Sequence, residues 1–97
     1  MGKKQILEKL LANRTKIKNY EVAKIGVFGS FAKGTATKNS DIDILVDFNN
    51  KTFDNYMDLK YFLEKLFRKD IDLVMSGTIK PRLKPLILKD VTYVKGL

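Results

Sequence analysis

The sequence contains no cysteine, no histidine and no tryptophan, and it has only two prolines among its 97 residues. Without cysteine and histidine, the chain cannot form a disulfide, a zinc site of the usual kind, a thiol nucleophile or a catalytic triad built on imidazole. A metal ion bound by its side chains would therefore need oxygen ligands.

Long apolar runs are also missing. No stretch approaches the ~18 residues of a membrane-spanning helix. Residues 1–11 alternate charge with leucine, where a signal peptide would have an apolar core. We therefore expect a cytoplasmic protein without a membrane segment.

The composition, 44% hydrophobic and 31% charged, is that of a folded globular protein, and the length suits one domain over residues 1–97. The net charge is +8, and the excess lies at the ends: residues 1–28 carry +5 and residues 76–97 carry +4, whereas the middle is neutral or acidic. Basic ends suggest a polyanionic partner. A solvated surface that keeps the protein in solution explains the lysines equally well.

Hydrophobic periodicity predicts the order of the elements. They are a helix from Lys3 to about Lys18, a strand over 20–28, a loop over 29–39 with one helical turn near Ser30, a strand over 40–48, a helix from Thr52 or Asp54 to Arg68, a strand over 71–75, a short helix over 80–89 and an extended end over 91–94. This order predicts a two-layer α/β fold, with helices packed against a small mixed sheet.

The most informative pattern is Gly29-Ser30, then ten residues, then Asp41-Ile42-Asp43. Side chains alternate along a strand, so Asp41 and Asp43 lie on one face with their Cβ atoms roughly 7 Å apart. Two carboxylates so placed repel each other unless a cation lies between them. Mg²⁺, which prefers oxygen ligands, is the natural candidate.

Gly29 and Ser30 add the features of a phosphate site. A glycine lets a phosphate approach the backbone, and a helical turn from Ser30 would direct free N–H groups at an anion. Lys33 and Lys38 are the only basic residues between positions 29 and 48. They are therefore the candidates for neutralising a triphosphate.

A third acid, Asp72, interrupts the apolar segment Ile71-Asp72-Leu73-Val74, where neighbouring burial disfavours a carboxylate. If this strand lies beside the strand of Asp41 and Asp43, the three acids could hold two metal ions and accept a proton from an attacking hydroxyl.

Each motif has an ordinary structural reading, because Gly-Ser alone is a turn and Asp-x-Asp alone is often an exposed strand end. Together, at fixed spacing, they occur by chance in about one in 1,000 chains of this length. A Walker loop is excluded because Thr35 and Ala36 follow Gly34, and an EF-hand is excluded because Leu45 stands at its fifth position.

These residues resemble the nucleotidyltransferase superfamily that includes DNA polymerase beta, and within it the minimal nucleotidyltransferases. The resemblance is carried by the segments 29–34 and 40–46, with Asp72 as the third acid, and it extends from about Ile25 to Val94. One departure is Lys33, where the family often has arginine. Lysine keeps the positive charge but lacks the planar guanidinium that can donate two hydrogen bonds to one phosphate.

The resemblance implies a transferase that moves AMP from ATP onto a hydroxyl, with Asp41, Asp43 and Asp72 as catalytic residues and ligands of two Mg²⁺ ions. Gly29 and Ser30 would bind the triphosphate. It also implies an antitoxin that forms a hetero-oligomer with a HEPN toxin and modifies a tyrosine of that toxin. From the basic ends, we expect any contact with RNA to be indirect, through that toxin. Two alternatives stay open: an antitoxin that acts by binding alone, and a basic nucleic-acid-binding protein.

Overall fold

The computed structural model describes all residues from Met1 to Leu97. The helices are α1 (Lys3–Ala12), α2 (Arg14–Lys18), α3 (Gly29–Lys33), α4 (Phe53–Phe67) and α5 (Lys84–Asp90), with a short 3-10 turn at Ser76–Thr78. The strands are β1 (Val22–Phe28), β2 (Ile42–Phe48), β3 (Ile71–Met75) and β4 (Thr92–Tyr93). None of the helices combines the length and the apolar character that crossing a bilayer requires.

The four strands form one mixed sheet in the order β3-β2-β1-β4. β1 pairs antiparallel with both β2 and β4, whereas β2 and β3 are parallel. A parallel pair needs a long crossover, which α4 provides between β2 and β3. The predicted fold class, a two-layer α/β arrangement with a small mixed sheet, is confirmed.

The main hydrophobic core lies between the sheet and the long helices. Alternation along β2 directs Ile42, Ile44 and Val46 into this core. The helices contribute fully buried residues to the same cluster: Ile6 and Leu10 from α1, Leu59 and Leu63 from α4. The intervening positions of β2, including Asp43, therefore belong to the opposite face of the sheet.

Two helices differ from the prediction. The helix predicted from Lys3 to about Lys18 is interrupted at Asn13, whose side-chain amide donates to the Lys9 carbonyl at 2.8 Å and closes α1. The last helix begins at Lys84, four residues later than predicted, because residues 81–83 form a turn. Pro85 lies in the first turn of α5, where its missing N–H is not needed.

Of the two N-caps considered for α4, the structure uses Thr52. Its hydroxyl accepts a hydrogen bond from the Asn55 backbone N–H at 3.0 Å. At the other end, Arg68 has a φ of +53° and closes the helix with its N–H bonded to the Glu64 carbonyl. This left-handed residue turns the chain into β3.

Candidate active site

The sheet topology brings the predicted site residues to one end of the sheet. β2 and β3 are parallel, so they start at the same end, and Asp43 lies in register with Asp72. β1 runs the other way, so its last residue, Phe28, pairs with Asp43. Gly29 and Ser30, which follow β1, therefore meet the acids at that end.

Position 29 requires glycine because the backbone there lies against the side chain of Asp43. The φ of Gly29 is +70°, and a Cβ built on it would lie 2.8 Å from Cγ of Asp43 and closer still to one carboxylate oxygen. The neighbouring Ser30 backbone N–H acts on the same carboxyl group, where it lowers the pKa of Asp43. The Gly-Ser pair thus supports an acid of the site directly, a role that the sequence pattern did not indicate.

Asp43 is the most perturbed acid of the chain. Its pKa is raised from 3.8 to about 6, and burial is the largest cause. The charge of Asp72, hydrogen bonding to the Asp72 side chain and the charge of Asp41 raise it further. The Ser30 N–H partly opposes this shift. Asp43 is half-buried, whereas Asp41 and Asp72 are exposed. One proton or one cation would relieve the repulsion.

A divalent metal ion fits this donor set, because every side chain involved offers carboxylate oxygens, the ligands that Mg²⁺ prefers. The ion pair of the chain joins Lys33 to Asp90, so no basic side chain lies within salt-bridge distance of Asp43 or Asp72. As the side chains stand, no group of three or more acidic residues is arranged to hold a metal ion. A cation held by all three acids requires at least one of them to change its rotamer.

The two candidate lysines occupy different places. Lys33 ends α3 and forms an exposed ion pair with Asp90 of α5, with 3.5 Å between Nζ and Oδ2. Lys38 is exposed in a turn that Thr37 and Ser40 close, the Ser40 N–H donating to the Thr37 carbonyl at 3.0 Å. Lys38 also lines an open cavity of about 510 Å³.

That cavity contains a residue that sequence reasoning missed. Lys69, just before β3, donates from its ammonium to the backbone carbonyls of Lys38 and Ser40, at 2.8 and 3.1 Å. Its partners are 31 and 29 residues away and are backbone atoms, so no pattern of residue types indicates the contact.

Asp47 was also missed, although it shares the face of Asp43 farther along β2. It accepts a hydrogen bond from the Ser76 hydroxyl. The pKa of Tyr93 is raised mainly by burial and also by the charge of Asp47. The centroid of the Tyr93 ring lies 4.5 Å from Lys24 Nζ. Strand alternation at positions 43 and 47 was the signal that could have indicated it.

The sequence matches a known family over most of its length. The family described as nucleotidyltransferase domain matches residues 4–94. Among the curated relatives is the protein adenylyltransferase MntA of Thermococcus cleftensis, which is 40% identical over 76 residues, or 77% of each chain.

Solved structures give the same picture of the fold. One, described as a minimal nucleotidyltransferase, has a TM-score of 0.74 and 32% identity and covers 95% of both chains. Another is a chain of the complex between a tri-AMPylated HEPN toxin of Shewanella oneidensis and an MNT antitoxin, with a TM-score of 0.65 over 94% of this chain and 73% of that one. At 19% identity, this second likeness shows the fold alone.

Proposed function

Because the chain belongs to the nucleotidyltransferase domain family and is a nucleotidyltransferase, we propose that it transfers AMP from ATP onto a hydroxyl group of a partner protein. The observation that carries this proposal is the pairing of Asp43 with Asp72 beside the Gly29-Ser30 turn. Two carboxylates then lie beside a backbone turn in which any side chain at position 29 larger than that of glycine would collide with Asp43.

Each acid has a role in this proposal. Asp41, Asp43 and Asp72 would hold two Mg²⁺ ions, which neutralise the charge on the transferred phosphoryl group and on the leaving pyrophosphate. Asp72, exposed at the rim of the site, accepts the proton of the attacking hydroxyl. The acceptor oxygen then bonds to the α-phosphorus. At the same time the bond between the α-phosphorus and the oxygen that bridges the α- and β-phosphates breaks, and pyrophosphate leaves.

The nucleotide is held by the segment after β1. Gly29 and Ser30 bind the triphosphate through backbone N–H groups and the serine hydroxyl, and Lys33 and Lys38 are the basic residues of the same segment. Phosphate binding by Lys33 competes with its ion pair to Asp90, because one ammonium cannot serve both at full strength.

For the acceptor, we propose a tyrosine of a HEPN toxin, with the chain acting as its antitoxin in a hetero-oligomer. The relative named protein adenylyltransferase supports a protein acceptor. The choice of a HEPN toxin as partner rests on the fold shared with the MNT antitoxin of the tri-AMPylated complex. The charge of +8 is consistent with an acidic toxin surface or with RNA bound to that toxin.

The test uses the protein, its HEPN partner, α-labelled ATP and Mg²⁺. We expect the partner to gain one or more AMP groups by intact mass, and we expect the Asp41→Asn, Asp43→Asn double variant to lose the transfer. Asp58→Asn, which changes an exposed acid of α4, serves as the matched control and should transfer normally. Transfer by the double variant would refute the site.

The same variants distinguish catalysis from neutralisation by contact. If the double variant still suppresses the toxicity of the partner at normal expression, the chain acts by binding alone. If suppression is lost together with label transfer, AMP transfer is the means of neutralisation.

A further inference from the structure

The loop that leads to Asp41 is hydrogen-bonded to the residues just before β3 at every second position, namely 38, 40 and 42. The carbonyls of Lys38 and Ser40 accept from the Lys69 ammonium, and the N–H of Ile42 donates to the Asp70 carbonyl at 3.1 Å. Asp41 thus lies between Ser40, which is bonded to Lys69, and Ile42, which is bonded to Asp70.

The same ammonium also contacts the segment that follows β1. Lys69 Nζ lies 5.9 Å from the centroid of the Phe31 ring, and Phe31 is the buried residue of α3. A cation at this distance from an aromatic face is attracted to it. One side chain therefore joins three segments, each of which carries a residue of the site: Ser30, Asp41 and Asp72.

Other contacts of the loop fix its shape more than its position. The turn at residues 37–40 is closed by bonds within itself, between Thr37 and Ser40. Residues 37–39 are exposed and contribute nothing to the buried core. Without Lys69, the turn would lose its link to β3 on the side that precedes Asp41, and its own bonds would be its only restraint there.

We propose that Lys69 is a positioning residue of the active site, which holds the 37–40 turn and thereby sets the distance of Asp41 from Asp43 and Asp72. This inference rests on the proposed transfer reaction. In this role Lys69 acts through the backbone of residues 38 and 40.

The informative variant is Lys69→Met, which keeps the length and the aliphatic stem and removes all three donors. Displacing one acid of the site by about 1 Å is expected to lower kcat by roughly 10- to 100-fold. The Mg²⁺ concentration for half-maximal rate should rise several-fold, because Asp41 is one of the proposed ligands. At saturating Mg²⁺, KM for ATP should stay within about twofold, since the Gly29-Ser30 turn is unchanged.

Lys69→Arg should recover most of the activity, because a guanidinium can also donate to two carbonyls. Lys65→Met, at an exposed lysine in the last turn of α4, is the matched control and should behave as the wild type. An effect of Lys69→Met that appears only as a higher KM for ATP, or that arginine fails to rescue, would overturn the proposal.

Hydrogen exchange tests the same claim without any activity. In Lys69→Met, we expect the N–H groups of Ser40 and Ile42 to exchange about tenfold faster, while that of the central Leu45 keeps its wild-type rate. This readout stays valid if no transferase activity is found, so failure of the reaction and failure of the Lys69 role are distinguishable. Unchanged exchange at residues 40 and 42 would contradict the role.

If Lys69→Met does not fold, the wild-type protein provides the test by NMR. The ammonium protons of Lys69, assigned by their loss in Lys69→Arg, should exchange with water more slowly than those of exposed Lys65. Equal rates for the two lysines would show that Lys69 does not hold the loop.

Discussion

Asp43 of β2 lies directly opposite Asp72 of β3, near the start of a parallel strand pair, and the charge of Asp72 helps to raise the pKa of Asp43. Neutral residues at these positions would relieve the repulsion between like charges in the metal-free chain. The sequence instead places acids on both strands and a glycine against one of them. This is the arrangement expected where binding of a cation takes precedence over stability.

The first prediction concerns stability without metal. The pKa of Asp43 is about 6 in the folded chain, against 3.8 when unperturbed. Between these values the folded state keeps a proton that the unfolded state has released. The free energy of unfolding therefore falls as pH rises from about 4 to about 6, and the full penalty is present above the folded pKa.

Asp43→Asn cannot ionise, so it should escape this penalty. With allowance for solvent screening of a half-exposed group, we expect the variant to be about 1–2 kcal/mol more stable than wild type at pH 7.5 in EDTA. The gain should vanish near pH 4. Urea denaturation at four pH values measures it, with Asp58→Asn as control; a gain that persists at pH 4 would contradict the explanation. Added Mg²⁺ should stabilise wild type and leave Asp43→Asn unaffected.

The second prediction separates backbone strain from collision at Gly29. Gly29 and Gly34 have similar φ values, +70° and +77°, but a Cβ on Gly34 meets nothing within 4 Å. Each alanine variant should lose about 1 kcal/mol from the left-handed backbone. Only Gly29→Ala should also displace Asp43 and lower kcat by about 100-fold. The comparison uses urea denaturation and label transfer, and equal loss of activity in both variants would be evidence against the contact.

Much of the fold could be predicted because the signals were local. Alternation through Asp41-Ile42-Asp43-Ile44 predicted one polar and one apolar face, and the structure has Ile42 and Ile44 fully buried. The strand Ile71–Met75 has the predicted bounds and lies beside β2. Helix ends were less predictable, since the break at Asn13 depends on one side-chain amide that competes for the Lys9 carbonyl.

The arrangement around the acids depends on contacts between distant segments. The contact of Gly29 with Asp43 joins two strand ends, and the bonds of Lys69 join side-chain nitrogen to backbone oxygen. Residue types alone carry no signal for such contacts, because any residue supplies a carbonyl. The sequence could therefore predict which residues matter for chemistry, and the structure was needed to identify those that support them.

The third prediction concerns the packing of α4 on the edge strand β3. The Tyr56 hydroxyl donates to the Leu73 carbonyl at 2.6 Å and is partly buried. Tyr56→Phe should lower the free energy of unfolding by about 1 kcal/mol, because the carbonyl loses its partner. Tyr61→Phe, at an exposed tyrosine of the same helix, should change stability by less than about 0.5 kcal/mol. Thermal denaturation compares the two, and equal melting temperatures would show that the bond contributes nothing.

The last prediction concerns the two lysines proposed to bind the triphosphate. Lys33→Met and Lys38→Met should each raise KM for ATP by about 3- to 10-fold through loss of a charge-assisted contact. Both residues are exposed, so stability should change by less than about 0.5 kcal/mol.

Lys33 needs a control for its ion pair with Asp90, which links α3 to α5. Asp90→Asn breaks the pair and leaves the cation, so it should keep or lower KM for ATP. Steady-state kinetics at saturating Mg²⁺ measures all three variants. If Asp90→Asn and Lys33→Met raise KM equally, the ion pair matters for the position of α3, and Lys33 has no separate contact with phosphate.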